Sequence, residues 1–165
     1  MANIKILVVE DDASKLASIV RAATSISGVA LGSISEARDA ITAKRLMRQQ
    51  IYDLLIMDLR IPNRIDQGAT DAAGSNLLRE VTSRPQYKLP HHIVGITAHD
   101  NLRMTEVPTF AEQLWPLLYY DNATDGWSRQ LANKIKHIIN SNNYLRYSDG
   151  QTYETDSNHN CFGHR

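Results

Sequence analysis

Three short and nearly all-apolar runs constrain this chain more than anything else in it: Ile4 to Val9, Tyr52 to Met57 and His91 to Thr97. Each is long enough for a strand and too short for a helix. Successive aliphatic and β-branched residues, without polar alternation, mark strands buried on both faces. Such strands need helices above and below them, and the intervening segments supply the pattern. Leu16, Ile19, Val20 and Ala23 recur at spacings of three and four, which predicts a helix over residues 13 to 26, stopped by Gly28. Val29 to Ile34 reads as a weak strand near a sheet edge. Ser33 and Glu36 have capping-box spacing, and the helical period from Ala37 to Met47 predicts a second helix behind them. Arg60 to Gly74, with Pro62 and Gly68 among polar residues, reads as a long loop, and Ser75 to Ser83 as a third helix.

The C-terminal half continues the alternation. Met104, Val107, Phe110 and Leu114 have helical spacing, but Pro108 stands in the middle of it and leaves residues 101 to 114 ambiguous. Trp115 to Tyr120 is a fifth strand, and Pro116 suits an edge position. Thr124 and Asp125 cap a last helix whose stripe of Trp127, Leu131, Ile135, Ile138 and Ile139 is expected to end near Asn140. Five strands alternating with helices predict an α/β fold, an open parallel sheet joined by right-handed crossovers. Its 165 residues suit one domain. The expected division is a domain over residues 1 to 140 and a polar C-terminal tail over 141 to 165 with too little aliphatic surface for a core.

Eighteen basic residues balance eighteen acidic ones, which argues against nucleic-acid or membrane-surface partners held by a broad positive field. The first residues form neither a signal peptide nor a membrane span, and one cysteine, Cys161, forms no intramolecular disulfide, so the expected location is cytoplasmic.

Ligands of an open α/β sheet gather at the carboxyl ends of its strands. There the first run delivers Glu10, Asp11 and Asp12, the second Asp58 and the third Thr97. An acid after a strand is often only a helix cap, a role that suits Asp12. Acids and a hydroxyl ending three separate strands point instead to a shared site. Like charges so close need a cation, and a hard, oxygen-seeking ion such as Mg²⁺ suits carboxylates.

These blocks together, from Ile6-Leu7-Val8-Val9-Glu10-Asp11-Asp12 through Tyr52 to Pro62, Gly74 to Leu78 and Ile96-Thr97-Ala98, resemble the signature segments of the response-regulator receiver domain of two-component systems. The resemblance implies a flavodoxin-like, doubly wound five-stranded parallel sheet in the order 2-1-3-4-5, flanked by helices. It implies that Asp58 accepts a phosphoryl group from a histidine kinase or phosphotransfer protein. Glu10, Asp11, Asp58 and the backbone carbonyl of Arg60 would hold Mg²⁺. Thr97 would hydrogen-bond the phosphoryl group, with the small Ala98 leaving room. The implied role is phosphorelay signalling as a stand-alone receiver rather than an enzyme, acting by contact with a downstream target protein and leaving a homodimer open. The tail is expected to hold no DNA-binding output domain.

The chain also departs from the pattern. Family members carry a lysine at the end of strand five, whereas this chain has none between Lys88 and Lys134 and places Tyr119 or Tyr120 there. Arg103 or Arg129 are candidate substitutes, and the loop between Asp58 and Gly74 exceeds the usual spacing. The alternative is a pseudo-receiver, a protein-binding module without regulated phosphorylation. A phosphatase or nuclease is disfavoured because Arg60 stands where such enzymes place a second acid. His91-His92 reads as surface histidines before a strand, and His159, Cys161 and His164 as a weak zinc spacing in the tail. Tyr144, Tyr147, Tyr153 and Phe162 are candidates for a docking peptide or plain solvated aromatics.

Overall fold

The structure, a computed structural model, describes residues 4–148. Five strands form one parallel sheet: β1 (Ile6–Val9), β2 (Ile34–Ala37), β3 (Leu54–Asp58), β4 (His92–Thr97) and β5 (Leu117–Tyr119), in the order β2-β1-β3-β4-β5. Five helices alternate with them: α1 (Ala13–Thr24), α2 (Ala40–Gln49), α3 (Ala73–Ser83), α4 (Asp100–Glu112) and α5 (Gly126–Ser148). The expected α/β class and strand order are both observed.

Alternate side chains of each strand face opposite layers. Leu7, Val9, Leu55 and Met57 pack with Ala43 and Met47 of α2, Leu77 and Val81 of α3, and Phe110 of α4. Ile6, Val8, Leu54 and Ile56 pack with Leu16 and Ile19 of α1 and with Leu131, Ile135 and Ile138 of α5. Both faces of the sheet are thus closed, as the unalternating apolar runs require. The strand order reverses between β1 and β3, where a crevice opens at the carboxyl ends.

The second strand and second helix differ from their expected places. Val29 to Ile34 holds a short 3₁₀ turn, Leu31–Ser33, and the strand lies later, with Glu36 opposite Val8. The spacing of Ser33 and Glu36 is therefore no capping box. The cap of α2 is Asp39, whose carboxylate accepts from the Thr42 N–H at 2.7 Å and from its hydroxyl at 2.9 Å. An edge strand that is only partly buried needs no apolar run, so pairing with β1 rather than composition identifies it. Helix α5 continues to Ser148, past the expected end near Asn140, so the first residues of the expected tail are helical.

Helix α4 continues through Pro108, which lies on its exposed side, while Leu102 and Phe110 anchor the buried one. The Phe110 ring lies so close over Gly95 that a Cβ there would fall 2.5 Å from it. The helix ends with Leu114 at φ 57°, in the left-handed region. The Leu114 N–H donates to the Ala111 carbonyl and the Trp115 N–H to the Phe110 carbonyl at 2.9 Å, the paired bonds of a Schellman cap. Glycine is the usual occupant of that position, and a leucine there stores strain. Leu114 is 89% exposed, so its side chain contributes little packing. Leu114→Gly is expected to stabilise the protein by about 1 kcal/mol, measured as a higher urea midpoint.

Across α2 and α3, Glu80 accepts from Lys44 Nζ at 3.0 Å, from the Tyr87 hydroxyl at 2.8 Å and from Arg84 at 3.0 Å. The hydrogen bonds from Lys44 and Tyr87 hold its carboxyl below the ordinary value of 4.5. A folded-state value below the unfolded one stabilises the fold above the ordinary carboxylate range, and that contribution fades as pH falls through the lowered value. Thermal melts of wild type and Glu80→Gln are therefore expected to differ at pH 7 and to converge as pH falls below the ordinary carboxylate range.

Candidate functional site

Adjacent parallel strands bring the acids together. Val9 of β1 lies opposite Met57 of β3, so Glu10 and Asp58 leave the sheet side by side. Ligand atoms of Glu10, Asp11 and Asp58 lie within 4.8 Å of one another. They open onto a cleft of about 390 Å³ lined also by Lys15, Arg60, Ala98, His99 and Tyr120. Backbone contacts hold the rim, because the Glu10 N–H donates to the Ala37 carbonyl at 3.0 Å and Arg38 donates to the Asp11 carbonyl. Gly74 lets α3 press against the turn after β3, where a Cβ would lie 2.6 Å from the backbone of Leu59. Asp58 Oδ1 accepts from the Arg60 N–H at 3.2 Å, while the Arg60 side chain turns outward to Asp71 at 3.3 Å.

Asp12 is the helix cap anticipated for it. Its carboxylate accepts from the Lys15 N–H at 2.7 Å and fixes the first turn of α1. Side chains in a helix tilt toward its N-terminus, and Lys15 thereby enters the cleft. Its Nζ lies 2.9 Å from Glu10 Oε2 and 2.9 Å from Asp58 Oδ2, with only 6% of the residue exposed. Thr97, fully buried at the end of β4, accepts from the His99 N–H at 3.1 Å through its hydroxyl.

Burial, then the charge of Asp58, pushes the Glu10 carboxyl up to about 7, with Lys15 and the Asp12 N–H opposing the rise. Burial also works against the Lys15 ammonium, but the charges of Asp58 and Glu10 outweigh it and hold the group above its ordinary value. Three carboxylates against one ammonium leave a formal deficit that a divalent cation matches. Glu10 Oε2 is buried with the Lys15 ammonium beside it, and all the ligand atoms of the three acids are carboxylate oxygens, so these residues fit a hard cation.

The structure narrows the strand-five alternatives to Tyr120. Tyr120, 7% exposed, lines the cleft, whereas Tyr119 stacks under Arg103 at 5.4 Å. Arg129 pairs with Asp125 at 3.5 Å, so neither candidate arginine lines the cleft. The positive charge comes from Lys15, a residue the sequence reading passed over. A signal was there: Lys15 stands four residues before Ile19, on the buried stripe of a helix that starts at the acids.

The long loop is tied down. Pro62 and Asn63 carbonyls accept from the first N–H groups of α2, Ile61 bridges Thr70, and Ala69 reaches the cleft. His91 lies at the opposite end of the sheet, 3.6 Å from Asp53. Tyr144 and Tyr147 fall on the last turns of α5, while Tyr153, His159, Cys161, Phe162 and His164 lie outside the described residues. Among the described residues no helix is long and apolar enough to cross a membrane.

The chain superposes on the response regulatory domain of MrkE from Klebsiella pneumoniae with TM-score 0.61 and 15% identity, covering 84% of this chain and 97% of that one. The chain has the receiver-domain fold. A second receiver fold, the phosphorylated cyanobacterial phytochrome response regulator RcpA, matches with TM-score 0.59 and 22% identity over 83% of this chain and 91% of that one. The receiver domain of sensor histidine kinase PA1611 from Pseudomonas aeruginosa PAO1, described with a magnesium ion coordinated in its active-site cleft, matches with TM-score 0.57 and 22% identity over 84% and 99%. No protein-family model matches the chain. In sequence it is 25% identical over 134 residues to an uncharacterized protein, y4jS, of Sinorhizobium fredii, covering 81% of this chain and 32% of that protein.

If Asp12 is a cap and Asp11 a ligand, the two separate experimentally. Asp12→Ala is expected to cost about 1 kcal/mol of stability and leave Mg²⁺ affinity near wild type, whereas Asp11→Asn weakens Mg²⁺ binding at least severalfold, both read by calorimetry.

Proposed function

We propose that the chain is a phosphoacceptor signalling domain that takes a phosphoryl group on Asp58 from a histidine kinase or phosphotransfer protein. The observation that carries this reading is the meeting of Glu10, Asp11 and Asp58 at the reversal of strand order on a receiver fold, with Thr97 buried at the end of the adjoining strand. An Asp58 oxygen attacks phosphorus in line as the bond to the donor's imidazole nitrogen breaks, and that nitrogen leaves with the electron pair. The attacking group is the Asp58 carboxylate, with the Lys15 ammonium 2.9 Å from one of its oxygens.

Glu10, Asp11, Asp58 and the Arg60 carbonyl would hold Mg²⁺, which when bound neutralises charge on the phosphoryl oxygens. The Arg60 N–H holds one Asp58 oxygen in place. The Thr97 hydroxyl leaves the His99 N–H and donates to a phosphoryl oxygen, which releases the turn that opens α4. The readout is a changed protein-binding face around α4, β5 and α5, with a downstream target protein as partner.

A second reading, the pseudo-receiver, is favoured by one observation: the Lys15 ammonium already pairs with two of the three carboxylates. Incubation with acetyl phosphate and Mg²⁺, followed by intact-mass measurement, decides between them. Phosphoacceptor function predicts a single added phosphoryl group on wild type and none on Asp58→Asn. An unmodified wild type, from both acetyl phosphate and a phosphorylated histidine donor, sinks the reading in favour of the pseudo-receiver.

A further inference from the structure

We infer that Lys15 is the phosphoryl-contacting cation of this site, reaching it from the first turn of α1 instead of from the end of strand five. The inference rests on the phosphoacceptor reading of Asp58 and adds the residue that would meet the group once it is attached. Lys15 Nζ stands 2.9 Å from Asp58 Oδ2, so its ammonium is already beside an oxygen of the attacking carboxylate. A phosphoryl group joined to Asp58 presents its own oxygens within the same small volume. The ammonium then changes acceptor, from carboxylate to phosphoryl oxygen, without any covalent bond or proton transfer at the lysine.

Two features on the opposite wall make the relocation specific. Tyr120, the residue just after β5, lines the cleft, and its ring lies 5.4 Å from Lys15 Nζ. The same ring packs against Trp127 of α5 at 4.9 Å, so it is a fixed wall rather than a movable donor. The face of an aromatic ring attracts a cation, and Tyr120 thus steers the ammonium that it cannot itself provide. On the other side, the Asp12 cap and the burial of Leu16 hold the lysine's backbone. Lysine has a compact charge with three rotatable donors, so it can exchange one oxygen partner for another while its stem stays packed.

Calorimetric titration with beryllofluoride, a mimic of the acyl-phosphate group, in the presence of Mg²⁺ tests the assignment. Mg²⁺ affinity is measured alone in parallel, and circular dichroism checks the fold. Lys15→Met is expected to lose roughly ten- to a hundredfold in beryllofluoride affinity, the worth of one charge-assisted hydrogen bond, while binding Mg²⁺ at least as well as wild type. Restoring an ammonium from the other wall, in the Lys15→Met, Tyr120→Lys double variant, is expected to recover part of the loss. Equal beryllofluoride affinity in wild type and Lys15→Met overturns the assignment and leaves the phosphoacceptor reading standing. A wild type that binds no beryllofluoride removes both. Should Lys15→Met not fold, the wild-type protein carrying ¹³C-labelled lysine decides: the Lys15 ε-carbon resonance is expected to shift on addition of beryllofluoride with Mg²⁺ and not with Mg²⁺ and fluoride alone. A Lys15 resonance that stays unmoved overturns the assignment.

Discussion

The Lys15 ammonium, held between Glu10 and Asp58, is the contact around which the carboxyl end of the sheet is organised. Parallel pairing of β1 with β3 forces two carboxylates into neighbouring positions, and burial makes their mutual repulsion costly. One ammonium offsets part of that cost and leaves a remainder suited to a divalent cation. A buried ion set of this kind is a poor source of stability, since desolvation consumes most of the attraction.

The rest of the architecture positions that charge set. Apolar strands buried on both faces leave the strand ends as the places where polar chemistry can meet solvent. Close approaches at Gly74 and Gly95 bring α3 against the turn after Asp58 and α4 against β4. Helix α4, which begins just beyond Thr97, contains Pro108 and ends on a leucine in a left-handed conformation. Local strain of this sort is often kept where an element must change its state.

Much of this was legible in the residues. The apolar runs announced β1, β3 and β4, and the acids after the first two announced the site, because a doubly buried strand has to exclude polar side chains until it ends. The resemblance supplied the strand order. β2 was misplaced because a partly exposed edge strand carries no such run, and the spacing of Ser33 and Glu36 imitated a cap that Asp39 actually provides. The helical reading of residues 101 to 114 stayed ambiguous because a proline inside a helix loses a backbone hydrogen bond, whereas here Pro108 lies on the exposed side of α4 with Leu102 and Phe110 buried opposite.

The sequence by itself determined the alternation of strands and helices and the delivery of Glu10, Asp11, Asp58 and Thr97 to the ends of strands, since both follow from local patterns of polarity. Only the tertiary structure decided which cation serves them. Arg103 and Arg129 were nearer in sequence to the missing strand-five lysine, but one lies on Tyr119 and the other on Asp125. Lys15 prevails because helix tilt and the Asp12 cap aim it across a cleft whose far wall, Asp58, lies distant along the chain. The physical reason is that charge pairing depends on distance in space, which folding sets and sequence separation does not reveal.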